Sequence, residues 1–150
     1  MPFNTPLDIL LDAARRQCDG EARRLAEDLA QARASEERLE LLERYRHDYE
    51  MRLREKSSLG LTAEAWRNYR IFMGQLDVAM QAQRADIAGR KQASQARRDA
   101  WSAARQRVRT FERLVERRVE EARVAGDRRD QNASDEQAAR RAGASRNAPR

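Results

Sequence analysis

The chain has 150 residues, a net charge of +6, and a composition that argues against a compact globular enzyme. Leu, Ile, Val and Phe together number 24, or 16% of the chain, which is too few for a large hydrophobic core. Ala, Glu, Lys, Leu and Arg instead make up 56% of the residues, as is typical of long helices and coiled coils. We therefore expect an all-α fold.

Cysteine usage and hydropathy indicate the cellular compartment. The single cysteine, Cys18, cannot form an intrachain disulfide, so nothing points to an oxidising environment. The N-terminus lacks the basic and apolar regions of a signal peptide, and no stretch approaches the ~20 apolar residues of a membrane span. These features predict a cytoplasmic protein.

The first predicted helix runs from about residue 6 to residue 55. Thr5 can cap its start, Pro6 suits the first helical position because it has no N–H to leave unpaired, and Asp8 complements the positive end of the helix dipole. Apolar residues then recur at coiled-coil spacing. This ladder consists of Leu7, Leu11, Ala14, Cys18, Leu25, Leu29, Ala32, Leu39, Leu42, Tyr45 and Tyr49.

A turn at about residues 56–61 separates this helix from a second one, predicted at about residues 62–125. Thr62 can cap the second helix, and Gly126 offers a C-terminal stop. Residues 127–150 contain no Leu, Ile, Val, Met or aromatic residue, so we expect them to form a disordered polar tail. The heptad ladder of the second helix consists of Tyr69, Met73, Leu76, Met80, Gln83, Ile87, Arg90, Ser94, Arg97, Trp101, Ala104, Val108, Phe111 and Val115.

The two ladders match when the chain is folded back at Leu59. Tyr49 should then face Tyr69, and Leu42 should face Leu76, so apolar residues meet near the turn. In the middle of the pairing, leucines of the first helix meet Ser94 and Arg90, which predicts weaker packing there. The expected architecture is a long antiparallel two-helix coiled-coil hairpin over residues 1–126.

Motifs for catalysis or for metal and cofactor binding are missing from the sequence. It has no phosphate-binding glycine loop, no Cys/His cluster and no nucleophile elbow. The single histidine, His47, reads best as an exposed helix residue. Carboxylates stand among arginines at the i,i+3 and i,i+4 spacing that stabilises exposed helices. We expect a protein that is not an enzyme and needs no cofactor or metal.

Positive charge is concentrated in the distal part of the second helix. Residues 90–118 contain ten basic and three acidic side chains. Three interpretations are open: a solvated helix face, a surface for an acidic protein, or a nucleic-acid site. The last is the weakest, because the basic residues share their helix with seam residues such as Trp101 and no known DNA-docking motif adjoins them.

Aromatic residues are concentrated near the turn instead. A two-helix coil buries only one seam, about two positions per heptad, so part of this cluster should lie exposed on a flank. Exposed aromatic stripes usually mark contact surfaces, although the helices could also wind so as to bury them all. Five of the eight aromatic residues belong to this cluster: Tyr45, Tyr49, Trp66, Tyr69 and Phe72.

Several of these residue clusters resemble the flagellar FliJ family, whose members are small cytoplasmic components of the flagellar type III protein export apparatus. The resemblance covers about residues 5–120 and leaves the tail unmatched. It depends on the stretch 68–72 (Asn-Tyr-Arg-Ile-Phe), the Gly60-Leu61 turn, the helix from Trp101 to Leu114, the Leu7/Leu11 start, and Leu42 with Tyr45 and Tyr49.

The resemblance implies three classes of partner: a hexameric ring ATPase, the cytoplasmic domain of the membrane-embedded export gate, and export chaperones. It also implies a location at the inner face of the cell membrane, reached through protein contacts. From the residues themselves we expect no nucleic-acid partner. Arg38 and Gln83 stand at the edges of the implied gate-binding patch. That patch consists of Leu42, Tyr45, Tyr49, Phe72, Leu76 and Ala79.

For the ring ATPase we predict a contact at the free ends of the hairpin. Apolar pairing of the first helix with Val108 and Phe111 should stiffen a basic tip there, which could enter a ring lined with acidic loops. The predicted contact residues are Leu7, Leu11, Arg105, Arg109, Arg113 and Arg117. Two other readings of the chain remain: the related stalk of a virulence type III secretion system, and a generic coiled-coil adaptor.

Overall fold

A computed structural model describes residues 5–147 and consists of two helices packed against each other. Helix α1 spans Pro6–Ser58 and helix α2 spans Ala63–Arg146, and residues 5–147 contain no strand. The predicted all-α helical hairpin is confirmed.

Both helices begin at a threonine cap. The Asp8 N–H donates to Thr5 Oγ1 at 3.2 Å and the Thr5 N–H donates to Asp8 Oδ2 at 3.1 Å, which forms a reciprocal capping box. The Thr5 hydroxyl also donates to Asp8 Oδ2, and this bond, followed by the one from the Thr5 N–H, lowers the pKa of the Asp8 carboxyl below its ordinary value. At the second helix the Ala65 N–H donates to Thr62 Oγ1 at 3.2 Å. Each cap satisfies a backbone donor that the first helical turn leaves free.

The connection between the helices comprises residues 59–62, so it starts later than predicted. Helix α1 continues to Ser58, and its last turn closes with hydrogen bonds from the Leu59 N–H to the Lys56 carbonyl (3.2 Å) and from the Gly60 N–H to the Ser57 carbonyl (3.3 Å). Gly60 has a φ of 91°, in the left-handed region that a residue without a Cβ adopts at little cost.

The later turn changes the pairing of the helices near it. The ring of Tyr49 packs on the ring of Phe72 with a centroid distance of 4.4 Å, three residues beyond the predicted partner Tyr69. Tyr69 instead makes a cation–π contact with Lys56, whose Nζ lies 5.5 Å from the centroid of the Tyr69 ring. The sequence therefore predicted the pairing of two seams but misplaced its register here.

The chain divides into two compact units. The turn unit comprises Gln17–Ala104, and the terminal unit comprises Met1–Arg16 together with Arg105–Arg150. Each buries few side chains, as the low apolar content predicts. The buried apolar residues are Leu11 and Ala14 in the terminal unit, and Ala32, Leu76, Met80, Ile87 and Ala104 in the turn unit.

Polar contacts replace apolar packing in the middle of the turn unit. Buried Ser35 donates its hydroxyl to Asp86 Oδ2 at 2.7 Å, and Gln83 Nε2 donates to the Ser35 carbonyl at 2.9 Å. Further along, Arg97 Nε donates to Asp28 Oδ2 at 3.1 Å. These contacts link α1 to α2 where the sequence predicted weak packing, because side chains that cannot fill the seam can still pair across it.

The C-terminal boundary of the second helix is corrected by the structure. Residues 127–150 were expected to be disordered, yet α2 continues through Gly126 to Arg146. Arg123 donates to Glu120 at 2.6 Å and to Asp127 at 2.8 Å, so its pairs span the glycine. Ala, Gln, Glu and Arg, which are strong helix formers, are common in this segment. Residues 127–147 are nonetheless all exposed, and residues 148–150 lie outside the described part of the chain.

Candidate interaction surfaces

The six residues of the predicted gate-binding patch all belong to the turn unit, and we call them the aromatic patch. Tyr45 is the most open large side chain among them, with 48% of its surface exposed, and Ala79 is exposed as well. Leu42, Tyr49 and Phe72 are half-buried. These five residues present aromatic and aliphatic surface beside the seam.

Leu76, the sixth residue of the aromatic patch, lies in the core. Only 8% of its surface is exposed, and it follows the same buried face of α2 as Met80. It lies four residues, about one helical turn, after half-buried Phe72. Because it is buried, Leu76 is not accessible to a partner.

Stacking fixes the centre of the aromatic patch. The rings of Tyr49 and Phe72 meet at an interplanar angle of 48°, and the Arg52 guanidinium carbon lies 5.6 Å from the centroid of the Tyr49 ring. Aromatic and cation–π contacts of this kind hold both rings in one orientation before any partner arrives. A rigid aromatic centre loses little side-chain entropy on binding.

Arg46, a charged side chain beside the aromatic patch, is paired with two carboxylates. Arg46 donates through Nε to Asp77 at 2.8 Å and through Nη1 to Glu50. The hydrogen bond that Arg46 donates to Asp77, followed by the charge of Asp77, raises the pKa of Arg46 above its ordinary value. Arg46 is therefore neutralised by its acidic neighbours, whereas Arg52, in its cation–π contact with Tyr49, has no ion pair among the described residues.

Exposed apolar side chains next to the aromatic patch were missed by the sequence reasoning. Leu41, Ile71 and Val78 are all exposed. None occupies the heptad seam, so seam periodicity could not detect them. The spacing of Leu41 and Tyr45, four residues apart on one helix face, was the available signal.

The predicted ATPase-contact residues all belong to the terminal unit, and we call them the basic end. Arg109 and Arg113 are exposed and make no ion pair among the described residues, whereas Arg117 lies 3.9 Å from Glu121. Leu7 is half-buried, but Leu11 is buried in the core and is not open to a partner. The arginines, not the leucines, form the accessible part of the basic end.

An open groove of about 400 Å³ also lies in the terminal unit. Leu7 and Leu10 of α1 and Leu114 of α2 supply its apolar lining, with Arg117 and Arg118 beside them. Leu10 and Leu114 are exposed and were not predicted as contact residues. The terminal unit therefore combines Arg109 and Arg113, which have no ion pair among the described residues, with a small apolar cleft.

Neither α1 nor α2 contains a segment long and apolar enough to cross a membrane. Within residues 5–147, no three His, Cys, Asp or Glu side chains are grouped as metal ligands would be.

Comparison with known proteins defines the family. A family model described as "Flagellar FliJ protein" matches residues 3–147, nearly the whole chain. The chain belongs to the FliJ family. The flagellar FliJ protein of Escherichia coli (strain K12) is 31% identical over 136 residues, and that of Salmonella typhi is 29% identical over 136 residues. Each alignment covers 91% of this chain and 92% of the relative.

The FliJ match extends further than the resemblance predicted from the sequence. It includes the segment after residue 120 that was expected to be unmatched, in line with the continuation of α2 to Arg146. The predicted family is confirmed, and this FliJ-family chain is a component of the flagellar export apparatus.

Proposed function

We propose that this FliJ-family protein is a non-enzymatic coupling component that links the flagellar ring ATPase to the export gate and also binds export chaperones. The observation that supports this proposal most is the presence of two chemically different surfaces in separate units of the chain. The aromatic patch belongs to the turn unit, and the basic end belongs to the terminal unit. A protein that binds a single partner would not need two different contact surfaces.

The aromatic patch is the proposed contact for the cytoplasmic domain of the gate. Half-exposed Tyr45, next to the fixed Tyr49–Phe72 pair, has the composition of an interface hot spot. Because Arg46 is already paired with Asp77, its charge would not be left without a partner when a bound protein excludes water from these rings. Exposed Leu41 and Val78 offer further apolar surface, which we assign to the chaperones.

The basic end is the proposed contact for the ring ATPase. Arg109 and Arg113 are exposed and unpaired among the described residues, so an acidic ring lining would not have to displace an existing partner. The groove between Leu10 and Leu114 can receive an apolar side chain from the ring. In this proposal the protein works in the cytoplasm at the inner face of the membrane, where it is retained by its contact with the gate.

The flagellar names of both relatives favour this proposal over the stalk of a virulence secretion system. The remaining alternative is a generic coiled-coil adaptor without effect on an ATPase. Purified full-length protein should stimulate ATP hydrolysis by its cognate ring ATPase, and immobilised protein should retain the cytoplasmic domain of the gate. An adaptor would bind one or both partners and leave the hydrolysis rate unchanged.

A further inference from the structure

The turn between the helices exposes apolar side chains that no described residue covers. Leu59, in the connection itself, has 87% of its surface exposed, and Trp66, in the first turns of α2, has 43%. Met51 near the end of α1 is exposed as well. These three residues come from α1, the connection and α2, so the apolar surface belongs to the end of the helix pair and not to one helix face.

Positive charge accompanies these residues. Residues 51–71 contain five basic side chains and only two acidic ones. Arg54, Arg67 and Arg70 make no ion pair among the described residues, so their guanidinium groups are available to an external anion. We call Met51, Leu59 and Trp66, together with Arg54, Arg67 and Arg70, the turn surface.

An open groove of about 520 Å³ places the tryptophan next to two of these arginines. Its lining is Ala63, Trp66, Arg67, Arg70 and Ile71. Trp and Arg in this arrangement suit a boundary between an apolar and an anionic layer. The indole ring prefers the level of lipid headgroups, and arginine keeps its charged end at phosphates while its methylenes lie along apolar surface.

We propose that the turn surface docks directly on an anionic lipid bilayer. Leu59 and Trp66 enter the boundary between headgroups and acyl chains, and Arg54, Arg67 and Arg70 contact lipid phosphates. Apolar anchors and clustered basic residues act together in this way at membrane surfaces. The contact is additional to the gate contact of the proposed function, and it requires neither the gate nor the ATPase.

A second copy of the chain is a poorer occupant of this surface. Self-association through the turn surface would bring Arg67 and Arg70 of one copy close to the same arginines of the other, without an acidic partner in the groove. Like charges at close range oppose such a contact. A bilayer rich in anionic lipid supplies the opposite charge, and its fluid surface adapts to an end that has no single flat face.

Co-sedimentation with lipid vesicles tests this proposal. The full-length protein should bind vesicles of phosphatidylcholine and phosphatidylglycerol, and it should remain in the supernatant with vesicles of phosphatidylcholine alone. Leu59→Ser and Trp66→Ala should each weaken binding by about tenfold, as expected for the loss of one apolar anchor. Neither residue is buried, so both variants should keep the helical content of the parent protein.

A matched pair of charge reversals distinguishes binding through the turn surface from non-specific electrostatic attraction between a basic protein and anionic vesicles. Arg67→Glu with Arg70→Glu should weaken vesicle binding more than about tenfold, whereas Arg109→Glu with Arg113→Glu in the terminal unit should weaken it much less. Both pairs change the net charge equally. Equal loss in the two variants, or unchanged binding by Leu59→Ser and Trp66→Ala, would overturn the proposal. So would the absence of vesicle binding at low salt, which would favour a protein as the occupant.

Tryptophan fluorescence provides a readout of depth. In a Trp101→Phe variant, Trp66 is the only tryptophan, and its emission should shift to shorter wavelength when anionic vesicles are added. If that variant loses helicity, quenching of the parent protein by brominated lipids should show the same contact, and Trp66→Phe should abolish most of that quenching. Emission and quenching that do not respond to bound vesicles would contradict insertion of the turn surface.

Discussion

The aromatic patch and the basic end differ in how they could hold a partner. In the aromatic patch, Arg46 is paired with Asp77, and the rings of Tyr49 and Phe72 pack on each other at a tilt of 48°. In the basic end, Arg109 and Arg113 are unpaired among the described residues. Binding through packed rings should depend little on salt and mainly slow dissociation, whereas binding through free charges should fall with salt and mainly accelerate capture. The difference makes the two contacts separable by experiment.

The largest expected effect comes from a residue of the aromatic patch that does not face a partner. Leu76 is buried, so Leu76→Ala should lower the free energy of unfolding by about 2–3 kcal/mol, through lost burial and the cavity left behind. Exposed Ala79 is the control, since Ala79→Ser should change stability by less than about 0.5 kcal/mol. Urea denaturation followed by circular dichroism measures both. Similar stability of the two variants would mean that Leu76 is not part of the core.

A smaller effect is expected at the exposed side of the aromatic patch. Tyr45→Ala should weaken binding of the gate's cytoplasmic domain by about 2 kcal/mol, or thirtyfold, because a large aromatic anchor would be lost. Tyr45→Phe, which keeps the ring, should retain most of the affinity. Titration by calorimetry at low and high salt measures this. An affinity loss that disappears at high salt would contradict binding through packed rings, and a parallel loss of ATPase stimulation would contradict separate contacts.

Charge reversal probes the basic end. Arg109→Glu, Arg113→Glu and Arg117→Glu together should raise the concentration needed for half-maximal ATPase stimulation by about tenfold at low salt, because steering toward an acidic ring would be reversed. Raising the salt concentration should narrow the gap between variant and parent. The helicity of the variant should be unchanged, since all three residues are exposed. Unaltered stimulation would identify these arginines as a solvated helix face.

The sequence predicted the elements of the fold well, because its signals there were local. Heptad spacing predicted the buried positions Leu11, Ala32 and Ile87, and the residue types of Thr5 and Thr62 predicted both helix caps. The sequence predictions were wrong where several weak energetic contributions to helix length and helix pairing compete. The end of α1 depends on whether residues 56–58 add one more helical turn, and a shift of that size changes which residue faces Tyr49.

The candidate surfaces were less predictable than the fold. Heptad spacing placed Leu76 on the seam, where the structure buries it, whereas the family resemblance counted it among the contact residues. The structure supports the spacing at this position, since Phe72 beside it is the more exposed of the two. The sequence reasoning also missed Ile71 and Val78, because an isolated apolar residue off the seam has no periodic signal. Spacing also could not predict that Arg109 is unpaired, since an acidic residue within reach on the helix does not guarantee a contact.

Two buried serines in the turn unit form a matched pair for a smaller effect. The Ser35 hydroxyl donates to Asp86, whereas Ser94 Oγ is buried without a hydrogen-bond partner in the described residues. Ser35→Ala should therefore cost about 1 kcal/mol of stability, and Ser94→Ala should be neutral or slightly stabilising. Urea denaturation of both variants measures the difference. Equal costs would show that the Ser35–Asp86 hydrogen bond adds no net stability.

The same hydrogen bond should affect the response to acid. The Ser35 hydroxyl, followed by the Arg90 side chain, lowers the pKa of Asp86 below its ordinary value of 3.8. A carboxyl with a lowered folded-state pKa contributes stability above its unfolded pKa and loses that contribution as the pH falls through the folded value. Ser35→Ala should therefore reduce the loss of stability in acid. In an NMR titration, the Asp86 carboxyl of this variant should titrate at higher pH than in the parent protein.

The smallest expected effect is in the C-terminal part of α2, which is helical but buries nothing. Residues 127–147 are all exposed, so the helix there is maintained by local backbone hydrogen bonds and side-chain pairs, not by packing. Deleting residues 127–150 should lower the helical circular dichroism signal in proportion to the helical residues removed, yet leave the midpoint of thermal unfolding almost unchanged. The matched comparison is deletion from residue 119, which also removes half-buried Val124 and should lower the midpoint. If the shorter deletion lowers the midpoint as much, this segment must make stabilising contacts that its full exposure does not reveal.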